Sequence, residues 1–197
     1  MIEVIKVLQN LIYHFDALKI SYMVGGSVAS SSHGAVRATN DVDIVADFRE
    51  AHITAFVSAL EGAYYVDADM IRDAIQESSS FNVIHLEKMT KADIFIKQKS
   101  AWVDMEWSRR LIKSVGGEDT DSISVYVASP EDMILQKLRW FRMGGGVSDR
   151  QWGDITGMLK VQQPTLDYAY LKEWGAYLEL TDLLALAYDD SGIEETA

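Results

Sequence analysis

The sequence predicts an α/β (α+β) fold, a small mixed sheet flanked by helices with a helical C-terminal part. Three observations carry that expectation. Short apolar runs of strand type at Tyr22–Val24, Asp41–Val45, Phe81–Leu86, Lys91–Ile96 and Ile123–Val127 are interleaved with helical periodicities. Two of those runs are joined by the short turn Glu87–Thr90, which reads as a hairpin. From Ser129 onward the periodicity is helical throughout.

Taken in order, residues 2–19 form an amphipathic helix, because Ile5, Leu8, Ile12, Phe15 and Leu18 recur at three- and four-residue steps. His14 in that helix is a surface or packing residue. The strand Tyr22-Met23-Val24 ends in Gly25-Gly26, where the backbone can turn sharply and approach a ligand. Ser27–Ser32 is small and polar; it suits a loop or a helix start, and the glycines before it favour the helix. His33 and Gly34 close that segment.

The strand Asp41–Val45 leads to a helix over Phe48–Leu60, a short strand at Tyr64–Val66 and a helix over Asp69–Gln76. Asp67 and Asp69 have turn and helix-cap character, so their role is structural. In the hairpin, Asp93 stands among apolar residues of a strand expected inside the sheet, where a carboxylate needs a partner. His85 opposite reads as a partly covered polar residue. Residues 101–110, with Trp102, Met105 and Trp107, form a short helix or docking loop; Asp104 there is a less favoured acid for a site. Gly116–Asp121 is an acidic turn, and Ile123–Val127 alternates as a half-exposed strand should.

The clearest helix start is Ser129-Pro130-Glu131-Asp132: an N-cap, a proline at the first position and two acids at the positive end. Lys137 falls on or beside the apolar face of that helix, either snorkelling to water or serving a site. Gly144-Gly145-Gly146 breaks the helix and Ser148 opens the next, in which Arg150 and Asp154 are spaced as an i, i+4 pair. Two more helices occupy residues 167–188, with Leu171, Trp174, Leu178, Leu183 and Leu186 as core. An acidic, frayed tail runs from Asp189. The expected organisation is a core over 1–128, a helical part over 129–190 packed on it, and a tail over 191–197.

Bulk composition narrows the classes. The 197 residues contain no cysteine, which removes disulfides and thiolate metal sites. No apolar run reaches the length of a membrane span, and Glu3 and Lys6 lie in an amphipathic pattern rather than a leader, so a cytoplasmic protein without membrane partners is expected. A net charge of −12 disfavours nonspecific nucleic-acid binding. Basic residues are nonetheless concentrated locally: Lys88, Lys91, Lys97, Lys99, Arg109, Arg110 and Lys113 stand in one stretch, and Lys137, Arg139, Arg142 and Arg150 in another. They form either a basic lip or a solvated face.

The chemistry is concentrated between Gly25 and Asp43. Asp41 and Asp43 are two apart on a strand, so both carboxylates leave the same face while Val42 and Ile44 point to the other. Two like charges held side by side repel unless a cation lies between them, and hard divalent ions prefer carboxylate oxygen. Arg37 either balances that charge or offers its planar fork to a phosphate. Thr39 can steady the turn into the strand.

Gly25-Gly26-Ser27 followed by Arg37-x-Thr39-x-Asp41-x-Asp43 resembles the signature of the DNA polymerase β-like nucleotidyltransferase superfamily, in particular its minimal AbiEii toxin type. The phrase Ser129–Leu138, which contains Lys137, and the Asp149-Arg150-x-x-x-Asp154 segment are similar to that type as well. The resemblance covers residues 20–160. It implies a nucleoside triphosphate (NTP) held by Gly25, Gly26, Ser27, Arg37 and Thr39, two Mg²⁺ ions on Asp41 and Asp43, and Asp93 as the third acid. It also implies Lys137 at the active site, with Arg150 or Asp154 facing the pocket beside it as nucleotide-binding residues. The activity implied is nucleotidyl transfer to an RNA (tRNA) or protein acceptor, with a toxin role and a cognate antitoxin among the family's variants. A nucleotide- or partner-binding module without turnover and a phosphotransferase are the alternatives.

Overall fold

The computed structural model describes residues 2–35, 38–116 and 122–193. The chain divides into two compact units, one of residues 1–28 and 38–127, the other of residues 29–37 and 128–197. Arg37, most of the 116–121 turn and the last four residues lie outside the described residues.

The first unit is built on a seven-stranded mixed sheet: β1 (Tyr22–Val24), β2 (Asp41–Ala46), β3 (Tyr64–Tyr65), β4 (Ser80–His85), β5 (Lys91–Ile96), β6 (Leu111–Val115) and β7 (Ile123–Val127), in the spatial order β3-β4-β5-β2-β1-β7-β6. At its centre β2 runs parallel to β5 and antiparallel to β1. Alternation decides which side of these strands is core. Val42, Ile44 and Ala46 of β2 and Ala92 and Ile94 of β5 are completely buried, whereas Asp43 and Asp93 lie on the other, half-open face.

Helix α1 (Ile2–Ala17) buries Leu8, Leu11 and Phe15. Phe15 stacks on Phe56 at 5.6 Å between ring centres, and Phe48 meets Phe56 and Phe81 edge-on at 5.1 and 5.4 Å. That cluster explains one departure from expectation. The helix foreseen from Phe48 starts at Ile53 (α3, Ile53–Leu60) after a 3-10 turn at Glu50–His52, because Phe48 is a core anchor and Arg49 is extended. Asp67 caps α4 (Ala68–Glu77), accepting the amides of Asp69 and Met70 at 2.9 Å each, the structural role read from its position.

Residues 101–108 are helix (α5, Ala101–Ser108) rather than a docking loop. The strand β6 had no expected counterpart. It is an edge strand with Leu111 and Ile112 exposed, so it carries no apolar alternation from which to read it.

The second unit contains the end of α2 (Gly26–Ser32), α6 (Pro130–Met143), α7 (Asp149–Gln162), α8 (Tyr168–Tyr177) and α9 (Thr181–Ser191). Ser129 accepts the amide of Asp132 at 3.2 Å and donates to the Asp132 carboxylate at 2.7 Å, and Tyr170 donates to the same carboxylate at 2.5 Å. Among the expected C-terminal core residues, Leu171 is buried but Leu186 is half exposed. The buried stripe of α9 is Leu184, Ala187 and Tyr188, a register one residue away from the expected one. Asp189 and Asp190 belong to α9 and not to a frayed tail, and Trp152 donates to Asp190 at 2.8 Å.

His33, given no role from the sequence, is completely buried; its Nε2 lies 2.8 Å from Ala128 O, and Gln162 donates to its carbonyl at 3.0 Å. These bonds tie the 29–35 segment into the helical unit.

Candidate active site

The site is built in the first unit where β1 ends and β2 and β5 run side by side. Gly25 extends the β1 pairing by donating its amide to Asp43 O at 2.8 Å. Gly26 then turns the chain with φ of +55°, a left-handed conformation that favours glycine, and starts α2. A Cβ at position 26 would fall on the Asp43 carboxylate. The glycine is therefore required twice, for its backbone and for the space that Asp43 occupies. Ser27 is buried directly after it.

Just before β2, Thr39 is buried and its hydroxyl accepts the Asp41 amide at 3.3 Å and donates to the Asp41 carbonyl at 3.2 Å. Its hydroxyl steadies the entry to the strand, as foreseen. Across the parallel pairing, Asp43 is in register with Asp93, and Asp41 with Lys91. All four side chains therefore emerge on one face. Asn82 on β4 is in register with Asp93 and joins the same face.

Lys91, from the sequence only a member of the basic stretch, stands on the aspartate face. Its Nζ lies 2.7 Å from Asp93 Oδ2. The hydrogen bond to Asp93 raises the ammonium pKa above its ordinary value, with the charges of Asp93, Asp41 and Asp43 adding to the effect against partial desolvation. One cation thus lies in the field of all three aspartates. Two residues before Asp93 on a strand is a same-face position, and that spacing is the signal that could have identified it.

The donor set suits a hard divalent ion, since two carboxylates in register on neighbouring strands and a third one pleat away present only oxygen. Among the described residues, no three acidic, histidine or cysteine side chains are already gathered as a metal site. The aspartates fit the ion in kind, and the Lys91 ammonium is the counter-charge that Asp93 holds in this structure.

Solved structures with the same arrangement of elements identify the architecture. The solution structure of the antibiotic-resistance factor ANT(2'')-Ia matches with a TM-score of 0.54 at 13% identity, over 94% of this chain and 96% of that one. The crystal structure of ANT(2'')-Ia in complex with adenylyl-2''-tobramycin gives 0.57 at 12% identity, over 89% and 96%. An antigenic nucleotidyltransferase-like protein from Paracoccidioides brasiliensis gives 0.53 at 13%, over 95% and 93%. The chain has the nucleotidyltransferase fold. No protein-family profile matches the sequence, and no curated protein matches it significantly.

Within the nucleotidyltransferase fold, the remaining expected residues fall in the second unit. Lys137 on α6 is buried and donates to Asp154 Oδ2 on α7 at 2.8 Å, with both side chains withdrawn from solvent. The ammonium does not snorkel to water. Arg150 is exposed in the first turn of α7. Arg37 lies outside the described residues.

Three of the seven basic residues expected to form a lip in the first unit are engaged in ion pairs. Lys88 bonds Glu3, Lys91 bonds Asp93 at 2.7 Å, and Lys97 bonds Asp104 at 2.6 Å. Asp104 is thereby engaged on α5. No helix among the described residues is long and apolar enough to cross a membrane.

Proposed function

We propose that the protein transfers a nucleoside monophosphate from an NTP to an acceptor, with release of pyrophosphate. The observation that supports this most is the placement of Asp43 in register with Asp93, with Asp41 on the same face and the Asp43 carboxylate against Gly26. Asp41 and Asp43 would hold two Mg²⁺ ions, with Asp93 completing the set. When bound, such a pair supplies neutralising charge to the attacking and leaving oxygens of an in-line displacement. Gly25 and Gly26 present backbone without side chains and, with Ser27, would receive the β- and γ-phosphates. Arg37 would offset phosphate charge and Thr39 would hold the strand entry; for Lys137, Arg150 and Asp154 a part in nucleotide binding is a proposal that their variants test, since Lys137 is engaged by Asp154.

The acceptor classes to test are a tRNA end, a protein hydroxyl and a small hydroxylated compound. The last class enters because a structural neighbour is bound to adenylyl-2''-tobramycin. The net charge of −12 argues against a broad RNA platform but is compatible with a single RNA end. A toxin role with a cognate antitoxin, in the cytoplasm, is the corresponding biological reading; an antitoxin gene beside this one would support it.

A second reading has its own observation. Asp93 is already bonded to Lys91, and the described residues hold no finished metal cluster, which favours a nucleotide- or partner-binding module without turnover. Calorimetry with ATP, GTP, CTP and UTP plus Mg²⁺, followed by transfer assays with label at the α- or γ-phosphate, separates the readings. Label from the α-position on the acceptor supports nucleotidyl transfer, and label from the γ-position a phosphotransferase. Binding without transfer supports the module.

A further inference from the structure

We propose that Lys91 is a built-in surrogate cation, holding the aspartate face together without metal and giving up its place on Asp93 when a divalent ion binds. This inference rests on the metal-binding part of the proposed function. Its grounds are geometric. Lys91 and Asp93 are two apart on β5, so their side chains share a face, and the ammonium reaches Asp93 Oδ2 at 2.7 Å. Lys91 is also the register partner of Asp41, as Asp93 is of Asp43, so the four residues stand at the corners of one block of the sheet and present their side chains on one face.

Two features make the pair exchangeable rather than a fixed strut. The Lys91 side chain is 41% exposed, so leaving the carboxylate returns the ammonium to water without burying it elsewhere. The carboxylate oxygen it occupies is of the type a hard divalent ion takes. An ammonium and a divalent ion cannot both claim that oxygen, and their mutual repulsion disfavours simultaneous occupancy. Lys91 therefore sets the affinity of the site for metal, and once released it is free to meet an anion carried by the incoming substrate.

The test uses Mn²⁺ binding to the full chain, followed by the loss of free-ion signal in electron paramagnetic resonance. Lys91→Met is expected to bind Mn²⁺ about tenfold or more tightly than the parent protein, as removal of one positive charge within a few ångströms of a divalent ion requires. The same variant should melt at a lower temperature in EDTA and regain stability with Mn²⁺. Lys91→Arg keeps the charge and should bind Mn²⁺ near the parent affinity.

A measurement on the unmodified protein covers the case in which Lys91→Met fails to fold. The ¹⁵N-labelled Lys91 ammonium resonance should be visible without metal and disappear on adding Mg²⁺. Asp43→Asn provides the control that separates the two ideas. Mn²⁺ binding that depends on Asp43 but is not tightened in Lys91→Met, or a Lys91 resonance unaffected by Mg²⁺, overturns the Lys91 proposal and leaves the metal site standing. Absence of Mn²⁺ binding in both parent and Lys91→Met overturns both.

Discussion

Gly26 and Asp43 share one space: the carboxylate of Asp43 lies where a side chain at position 26 would begin. The turn that ends β1 and the acidic strand β2 are thus a single device, since any side chain on the turn would displace the acid. This explains why position 26, whose φ of +55° already favours glycine, has no room for any other residue.

Gly26→Ala is expected to lose about 1–2 kcal/mol from the left-handed backbone alone. It should also lose Mn²⁺ affinity, because Asp43 has to move. Urea unfolding and Mn²⁺ titration of the same preparation measure the two effects. A variant with parent stability and parent metal affinity would show that Asp43 does not depend on the turn.

The Lys137–Asp154 pair gives a prediction about stability that also tests function. Asp154→Asn leaves a buried ammonium short of its counter-ion and should cost about 3–5 kcal/mol. Lys137→Met combined with Asp154→Leu removes both charges and should recover most of that loss. Chemical denaturation of the single and double variants measures the coupling. If the double variant is stable yet inactive in nucleotide transfer, Lys137 or Asp154 has a role in the reaction beyond holding α6 against α7.

Alkaline pH should weaken the first unit through two tyrosines. Burial pushes the phenol of Tyr22 up to about 12, with the charge of Asp16 adding to it, and burial alone pushes Tyr64 up to about 12. A phenol raised in the folded state binds its proton more tightly there than in the unfolded chain. The associated stability is therefore intact below pH about 10 and lost as pH rises from about 10 toward 12. Phenolate absorbance should show Tyr22 and Tyr64 among the late-titrating tyrosines, and Tyr22→Phe should flatten the decline in melting temperature over that window. An unchanged slope in Tyr22→Phe would remove Tyr22 as a cause.

Much of this architecture was legible in the chain. Alternation in Asp41–Ala46 and Lys91–Ile96 marks which residues are core, and Ser129-Pro130 marks the start of α6 without ambiguity. What escaped depended on partners distant in sequence. Leu111–Val115 is a strand because β7 pairs with it, not through a pattern of its own. His33 looks like the end of a polar helix until Ala128 and Gln162 are placed around it. The one-residue phase error in α9 arose because Leu183, Leu184 and Leu186 are all apolar, so only packing selects the buried one. Lys91 shares a face with Asp93 by its two-residue spacing, but only the register with Asp41 brings it to the other two aspartates.

The account stands on the aspartate face, and Asp43→Asn tests it most directly. Parent and variant are compared by circular dichroism and then incubated with each NTP labelled at the α-phosphate, Mg²⁺, and tRNA, protein or small hydroxylated acceptors. The account predicts an unchanged fold and α-label on an acceptor in the parent, lowered by more than about a hundredfold in the variant. Equal transfer by parent and variant would contradict it.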